Sequence, residues 1–330
     1  MELSEYPTYS DIKVSVIIPV YGVEKYIERC AITLFEQTLQ EIEYIFVNDC
    51  TKDRSIEVLE SVLERYPDRK RNVKIVTMPQ NSGQAAVREY GMKLATGEYI
   101  IHCDSDDWID VTAYEQLYNC AINNGSDIVF CDFYKSYNDQ NIYVHRDIDI
   151  SSKQGLIDSV SRHAHWCVWC ALTKRSLCTD NNIMYPTSNN GEDFALMFQL
   201  IHFAKTFSKV DKPLYYYYIN PESITNKPTE EAYMNRYYQL LNNTNLVISF
   251  ITSQNESGQY EDLINCYKLY CRTKLSPLTG NKRYRKIWQE TYPEIKILDI
   301  LKNSKIPLRT KLNYIAVRLN IYHILARFNK

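Results

Sequence analysis

The chain has 330 residues, of which 45% are apolar and 24% charged, as is ordinary for a globular protein with a sizeable core. Its 38 basic and 40 acidic side chains leave a net charge of −2, which argues against a nucleic-acid-binding protein. The first ten residues lack the features of a signal peptide, and no apolar run reaches the roughly 18 residues that span a bilayer. Ten cysteines without a repeating spacing are typical of reduced thiols, so we expect a cytoplasmic protein.

The first 135 residues alternate between two hydrophobic patterns. Continuous apolar, β-branched runs predict strands that are covered on both faces. These strands are expected at 14–20, 43–48, 73–78, 98–103 and 127–133. Apolar residues at helical spacing predict the intervening helices, at 24–37, 53–66, 83–95 and 110–123. The alternation predicts an α/β fold with a mostly parallel sheet flanked by helices, in which ligands bind at the carboxyl ends of the strands.

The pattern changes in the second half of the chain. Helices and loops are mixed over 155–205, and 213–226 predicts a strand that leads into a polar loop. Beyond about residue 230 the pattern is helical. We therefore place a domain boundary near 225, with a catalytic domain at 1–225 and a helical C-terminal region at 226–330.

The end of the chain carries cations and no acid. The basic residues there are Lys302, Lys305, Arg309, Lys311, Arg318, Arg327 and Lys330. Apolar residues at steps of four and three form a stripe, made of Leu308, Leu312, Ile315, Leu319 and Tyr322. A basic amphipathic helix of this kind either lies on an anionic membrane surface or packs on the protein's own core, and the pattern leaves both interpretations open.

Three acids follow the strand predicted at 98–103, namely Asp104, Asp106 and Asp107. Two carboxylates on a tight turn suit a hard divalent cation such as Mg²⁺ or Mn²⁺. Such an ion keeps open positions that a diphosphate can fill. Taken alone, the spacing is a weak signal, because many such acids cap helices or lie in solvated turns.

Five segments, taken in order, resemble the family 2 glycosyltransferases of the bacterial surface-polysaccharide type. They are "VSVIIPVYGVEKYIERC", "IFVNDCTKD", "NSGQAAVREYG", "GEYIIHCDSDDW" and "NNGEDFALMFQLI". The resemblance covers roughly residues 13–225. It implies the GT-A fold, a Rossmann-like sheet flanked by helices, here with a helical C-terminal extension.

The resemblance also implies residues that bind the nucleotide sugar. These are Pro19, Tyr21, Asp49, Asn81, Gly83, Arg88, Asp104 and Ser105. Among them, Tyr21 matches a residue near the base, and Asp49 matches the carboxylate that accepts a hydrogen bond from uracil N3–H. A carboxylate accepts from an imide donor, so this residue favours uracil over cytosine. Asp104 matches the acid near the ribose.

The same resemblance implies a metal-dependent inverting reaction. Asp106, with Asp104, matches the acids that hold Mn²⁺ or Mg²⁺, and Asp193 matches the catalytic base, with Glu192 beside it as the alternative. The reaction implied is transfer of a sugar from a UDP-sugar to a hydroxyl of a glycan acceptor. The acceptor expected is lipid-linked, in capsule, exopolysaccharide or O-antigen synthesis, with the enzyme peripheral on the inner face of the membrane. The alternative is a catalytically silent GT-A-fold scaffold that binds a partner.

Several of these residues also have structural interpretations. Asp49 is placed to cap the helix that begins near residue 53, and Arg88 to pair with a neighbour on its own helix. Trp166 and Trp169 are candidates for stacking on a sugar ring, but large aromatic residues more often belong to the core. Cys50 stands where the family has glycine, so the shape of that loop is open.

Overall fold

The computed structural model of the chain describes residues 12–163, 166–219, 229–303 and 306–322. Within these residues, a nine-stranded sheet forms the centre of the fold. Its strands are β1 (Val14–Val20), β2 (Ile42–Asn48), β3 (Val73–Thr77), β4 (Tyr99–His102), β5 (Trp108–Ile109), β6 (Ile128–Ser136), β7 (Asn141–Val144), β8 (Ala171–Lys174) and β9 (Phe207–Tyr218).

Helices follow most of the strands in the first half and dominate the end of the chain. They are α1 (Ile27–Phe35), α2 (Ser55–Leu63), α3 (Gln84–Leu94), α4 (Ala113–Asn124), α5 (Lys153–His163), α6 (Ser176–Thr179), α7 (Glu192–Phe203), α8 (Glu230–Ser253), α9 (Glu261–Leu275), α10 (Lys282–Glu290), α11 (Ile297–Lys302) and α12 (Leu308–Arg318). The predicted strands and helices of the first 135 residues are confirmed, with helix ends that differ by a few residues.

The sheet is mixed and mostly parallel. Strands β3, β2, β1 and β4 are adjacent and parallel, and β6 and β9 run in the same direction. Between these two groups lies β8, which is antiparallel to both β4 and β6. The sequence pattern did not predict β8, nor the two-residue strand β5, which pairs with β9.

The first strand shows why the sequence pattern is so clear. Alternate residues of β1 point to opposite faces of the sheet, yet Val14, Ser15 and Val16 are all fully buried. Helices therefore cover both faces, and a continuous apolar run is the expected sequence for such a strand.

The chain divides into two compact units that interleave along the sequence. The first unit contains the described residues of 1–156, 166–185 and 196–220, and the second those of 157–165, 186–195 and 221–330. The predicted division near residue 225 does not take the two short segments of the second unit into account, and it stays a prediction as a boundary of function.

The second unit has its own apolar core, to which the inner face of α12 contributes. Tyr314 and Val317 on that face are each 2% exposed and pack in a cluster with Trp288 and Ile300. The stripe predicted from the sequence is mostly on the other side of the helix, where Leu308, Leu312 and Leu319 are exposed and Ile315 is half-buried. Tyr322, the last member of the stripe, instead packs against the core cluster. Lys305, Arg327 and Lys330 lie outside the described residues.

Candidate active site

The predicted nucleotide-binding residues of the first unit gather at one edge of the sheet. Strands β1, β2 and β4 are adjacent and parallel, so their carboxyl ends meet there. Tyr21 follows β1, Asp49 follows β2 and Asp104 follows β4. Tyr21 is 48% exposed, whereas Asp49 is 4% exposed. This edge therefore combines an accessible aromatic ring with buried carboxylates.

Asp49 organises the turn that leads into α3. Its Oδ1 accepts from the Ser82 N–H at 2.7 Å, and its Oδ2 accepts from the Gly83 N–H at 2.8 Å and from Asn81 Nδ2 at 3.1 Å. Gly83 has φ of +84°, a left-handed conformation that glycine adopts without strain. A carboxylate has about four acceptor positions, so Asp49 has capacity for one further donor on Oδ1. Asp49, Asn81 and Gly83 thus form one group.

The capping role considered for Asp49 at α2 belongs to another acid. Asp53 Oδ1 accepts from the Ser55 N–H at 3.2 Å and from the Ser55 hydroxyl at 2.6 Å. The loop that joins the two acids contains Cys50, whose φ of +56° is the backbone conformation that the family's glycine adopts readily. Its Sγ donates to the Met78 carbonyl at 2.9 Å, which fixes the loop against β3.

Asp104 is neutralised by side chains from α3. Its Oδ1 accepts from the Arg88 guanidinium at 2.7 Å and from Gln84 Nε2 at 2.9 Å. The side chain of Arg88 is only 4% exposed, so this is a charge-assisted pair in a mostly dry environment. Arg88 therefore pairs across elements. Gln84 was not among the predicted residues, and its position four residues before Arg88 was the only signal.

Asp106 lies in a different electrostatic environment. Burial, followed by the negative charge of Asp104, raises the pKa of Asp106 to about 6. Arg29 donates to the backbone carbonyl of Asp106 at 3.1 Å, and its guanidinium lies 3.6 Å from the ring centre of Trp108. Ser105, between the two acids, donates to the Pro19 carbonyl at 2.6 Å and so ties the turn to β1. The Ser105 hydroxyl and the Asp106 carbonyl thus hold the turn, and the Asp106 carboxylate carries charge that a cation would stabilise.

The third acid, Asp107, is a structural residue. Its Oδ2 accepts from the Tyr215 hydroxyl at 2.6 Å and its Oδ1 from the Tyr218 N–H at 2.7 Å. Burial, followed by the charges of Asp106 and Asp104, raises the pKa of Asp107 well above its ordinary value. The Tyr215 hydroxyl also accepts from the Asp104 N–H at 3.1 Å. Tyr215 therefore positions the whole acidic turn, a role that the sequence pattern did not reveal.

Comparison with known proteins shows the family of the chain. The sequence profile of "Glycosyl transferase family 2" matches residues 15–181. The chain is 32% identical over 280 residues to the uncharacterized glycosyltransferase EpsJ of Bacillus subtilis (strain 168), a match that covers 81% of this chain and 77% of that protein. The chain belongs to glycosyltransferase family 2. The predicted family is thereby confirmed.

Two further proteins are similar to this chain. The poly(ribitol-phosphate) beta-glucosyltransferase of Bacillus spizizenii is 27% identical over 259 residues, which are 78% of this chain but only 37% of that protein. The crystal structure of S. aureus TarS 1–349 in complex with UDP-GlcNAc superposes with a TM-score of 0.59 at 18% identity, over 93% of this chain and 91% of that one. The fold of this glycosyltransferase is GT-A, as predicted.

The four consecutive tyrosines of β9 divide between the two faces of the strand. Tyr215 and Tyr217 stack on Trp169, with ring centres 4.4 Å and 5.5 Å away, whereas Tyr216 stacks on Trp108. Burial, followed by the charges of Asp107 and Asp104, raises the pKa of Tyr217 to about 12. Tyr217 is 37% exposed, so the glycosyltransferase has an accessible aromatic ring near its acids.

Trp166 and Trp169 both belong to the core. They are 4% and 7% exposed, and Trp166 packs against Phe198 with ring centres 6.3 Å apart. Neither indole presents a face that a sugar can reach. The core interpretation of both tryptophans is therefore the correct one.

A second group of potential metal ligands lies elsewhere in the first unit. Asp132, His145 and Asp211 offer ligand atoms within 4.8 Å of one another. Lys209 already fills this group, because its ammonium lies 2.9 Å from Asp132 Oδ1 and 2.7 Å from Asp211 Oδ1. Burial alone would raise the pKa of Asp132, but hydrogen bonds from Tyr143 and Lys209 lower it overall. We interpret this group as a salt-bridge network.

The donor set that fits a divalent cation better is the acidic turn. Asp106 combines a raised pKa with a position close to Asp104. Arg88 and Gln84 both donate to Oδ1 of Asp104, not to Oδ2. Carboxylate oxygens are the ligands that Mg²⁺ and Mn²⁺ prefer. The assignment of Asp106 and Asp104 as metal ligands stays a prediction.

The two acids expected to act as base belong to the second unit. Glu192 and Asp193 form the first turn of α7, directly after Gly191, which has φ of +85°. Both side chains are half-buried. The N-terminus of a helix stabilises a carboxylate in its ionised form, which is the form that a general base needs. Their catalytic role stays a prediction.

Among the helices of the described residues, none is long and apolar enough to cross a bilayer.

Proposed function

We propose that this glycosyltransferase moves a sugar from a UDP-sugar to a hydroxyl of a glycan acceptor, with inversion at the anomeric carbon. The observation that carries the proposal is that Asp49, after β2, and Asp104 and Asp106, after β4, lie on either side of the parallel strand β1 at the carboxyl ends of these strands. This edge is where open α/β sheets bind nucleotides. Asp104 and Asp106 there suit a cation that binds a diphosphate, and Asp49 suits the nucleobase.

The preference for uridine is argued from Asp49. Its carboxylate has one acceptor position left after the bonds to Ser82, Gly83 and Asn81, and it carries a negative charge in a mostly buried position. Uracil N3–H is a donor that fills such a position, whereas the N3 of cytosine is an acceptor and would repel it. The UDP-GlcNAc bound to TarS is in agreement with this choice.

The chemical step assigns separate roles to the two groups of acids. Asp193 takes the proton of the acceptor hydroxyl as that oxygen attacks the anomeric carbon. Asp106 and Asp104 would hold Mn²⁺ or Mg²⁺, and the bound cation would supply positive charge for the departing UDP. Arg88 orients Asp104 through their 2.7 Å contact. Ser105 and Tyr215 fix the turn through their hydroxyls.

The acceptor proposed is a growing surface polysaccharide, attached to a lipid at the cytoplasmic face of the membrane. Support comes from the poly(ribitol-phosphate) beta-glucosyltransferase, whose name gives a polymer as its acceptor, and from the polysaccharide acceptor that the sequence resemblance implies. Tyr217 is the residue that we assign to packing against a sugar ring, because it is exposed and lies near the acids.

Release of UDP from a panel of nucleotide sugars tests the reaction. We expect release from one UDP-sugar with Mn²⁺ or Mg²⁺ and none with EDTA. If the protein binds UDP in calorimetry but releases no UDP from any nucleotide sugar, only the acceptor is missing from the assay. A chain that neither binds UDP nor hydrolyses any donor contradicts the proposal and favours the silent scaffold.

Neighbouring acids provide a matched test of the base. We expect Asp193→Asn to lower transfer by roughly 10²–10⁴-fold with unchanged affinity for UDP, because a general base contributes that much. Glu192→Gln changes the same charge one residue away and should retain most activity. The opposite result would move the role to Glu192, and two unaffected variants would remove it from this turn.

A further inference from the structure

The outer face of α12 is apolar and exposed. Leu308, Leu312 and Leu319 are 71%, 56% and 64% exposed. Successive helical residues are about 100° apart, so these three lie within a narrow stripe along one side. On the other side, Tyr314 and Val317 are each only 2% exposed. The helix therefore has two apolar faces, and only the inner one is used for packing.

Core packing does not explain the outer leucines. The inner face already lies in a cluster of nine buried residues, of which Tyr314 and Val317 are two. A helix that only packs on its own unit would carry polar residues on its outer side. An exposed group of large apolar residues with polar borders is typical of an interaction site.

The preceding helix extends this surface. In α11, Leu298 is 60% exposed and Leu301 is 45% exposed. The two helices are neighbours here, because Lys311 Nζ of α12 donates to the Leu301 carbonyl at 2.8 Å. We call the resulting surface the leucine face. It consists of Leu298, Leu301, Leu308, Leu312 and Leu319.

Cations border the leucine face. Arg309 follows Leu308 by one residue and lies about 100° to one side of the stripe, whereas Lys311 and Arg318 lie to the other side. Between Ile300 and Lys330 the sequence has no Asp or Glu. Apolar residues flanked on both sides by Lys and Arg are the pattern of a helix that lies in the interface of an anionic membrane.

We propose that the leucine face docks the protein on an anionic lipid bilayer, with α12 parallel to the membrane plane. The leucines enter the boundary between headgroups and acyl chains, and Arg309, Lys311 and Arg318 contact lipid phosphates. Charge complementarity favours a bilayer over an apolar protein partner, because cations border the leucines of α12 and no acid occurs in the sequence between Ile300 and Lys330. The inference is independent of the donor sugar and of the catalytic acids.

Co-sedimentation of the full chain with lipid vesicles tests the proposal without any substrate. We expect binding to vesicles of phosphatidylglycerol mixed with phosphatidylcholine and at least about tenfold weaker binding to phosphatidylcholine alone. Raising the salt from about 0.1 M to about 0.5 M should weaken the binding, because the headgroup charges are then screened. Absence of binding to the anionic vesicles would overturn the proposal.

Substitutions distinguish vesicle binding through the leucine face from nonspecific hydrophobic binding. The combined change Leu308→Ser, Leu312→Ser and Leu319→Ser should reduce vesicle binding by at least about tenfold, through the lost apolar burial. Because these side chains are exposed, the thermal unfolding midpoint should not fall. Truncation of the helix is a poorer test, since it also removes Tyr314 and Val317 from the core.

Two control variants complete the test. Ile122→Ser with Val111→Ser removes apolar residues that are 48% and 40% exposed in the first unit, and it should leave vesicle binding unchanged. Arg309→Gln with Arg318→Gln should remove the preference for anionic lipid. Equal losses in the leucine and control variants would overturn the proposal. So would a leucine variant that changes the oligomer mass in light scattering and leaves vesicle binding intact, because the face would then join two copies of the chain.

Discussion

Two carboxylate sites at opposite edges of the same sheet illustrate different uses of a buried acid. Glu43, near the amino end of β2, is 4% exposed and is surrounded by donors. Ser15, Lys74 and Thr96 all donate to it, at distances between 2.6 and 2.8 Å. Asp106, beyond the carboxyl end of β4, is half-buried beside a second acid. In the first site the Lys74 ammonium contacts the carboxylate, whereas in the second the nearby cation, Arg29, donates to the backbone carbonyl of Asp106.

The pKa values express the same difference. At Glu43, burial alone would raise the pKa, but hydrogen bonds from Lys74, Ser15 and Thr96 outweigh it and lower the pKa overall. At Asp106, burial and the charge of Asp104 raise the pKa to about 6. A carboxylate satisfied by the fold contributes to stability, whereas one left with uncompensated charge is available to a ligand.

The largest effect expected is on catalysis, from Asp106→Asn. This change keeps the shape of the side chain and removes the charge that we assign to metal binding. Transfer in the presence of Mn²⁺ should fall by roughly 10²-fold or more, since a bound metal contributes several kcal/mol at the transition state. The unfolding midpoint should stay the same or rise, because repulsion from Asp104 is relieved. A variant with nearly normal transfer would remove Asp106 from the metal site.

Glu43→Gln should show the reverse behaviour. The neutral amide loses the charge-assisted bonds, including the one from Lys74, so the free energy of unfolding should fall by about 2 kcal/mol. Transfer per folded molecule at low temperature should be unchanged. Urea unfolding and the UDP-release assay measure the two quantities on the same preparation. A Glu43→Gln variant with lost activity and normal stability would show that Glu43 is not the purely structural acid that we contrast with Asp106.

The stability difference between wild type and Glu43→Gln should depend on pH. The folded-state pKa of Glu43 lies below its ordinary value, so its contribution is fully present above the unfolded pKa of about 4.3 and is lost as the pH falls through the folded-state pKa. The two unfolding curves should therefore be well separated at about pH 7 and converge below about pH 4. Curves that converge towards high pH would mean that the assigned sign is wrong.

A smaller effect is expected from Tyr215→Phe. The change removes the hydroxyl that donates to Asp107 and accepts from the Asp104 N–H, so the acidic turn loses an anchor. Stability should fall by about 1 kcal/mol, and the KM for the donor should rise by roughly fivefold.

Tyr216→Phe is the matched control for Tyr215→Phe. It changes the next residue, on the opposite face of β9, and it keeps the ring that stacks on Trp108. Its KM should stay within about twofold of wild type. Equal effects of both changes would mean that Tyr215 acts only through the general stability of the strand.

Regular elements were predictable wherever the pattern is local and repeated. The run at 14–20 coincides with β1, because every residue of a strand covered on both faces is apolar or small. Predicted helix 24–37 is shorter in the structure, where α1 begins at Ile27. The two-residue strand β5 was missed, since its pairing partner in β9 lies about a hundred residues further along the chain.

The sequence by itself determined the alternation of elements, the family and the acids that gather at one edge, because these depend on residue type and on neighbours along the chain. Only the tertiary structure distinguished the three acids of the turn. Arg88 donates to Asp104, and Tyr215 donates to Asp107. Burial and the charge of Asp104 raise the pKa of Asp106. It also showed which side of α12 is buried. Both outcomes depend on partners brought together by folding, and a hydrophobic period alone does not say which of two apolar faces is turned inward.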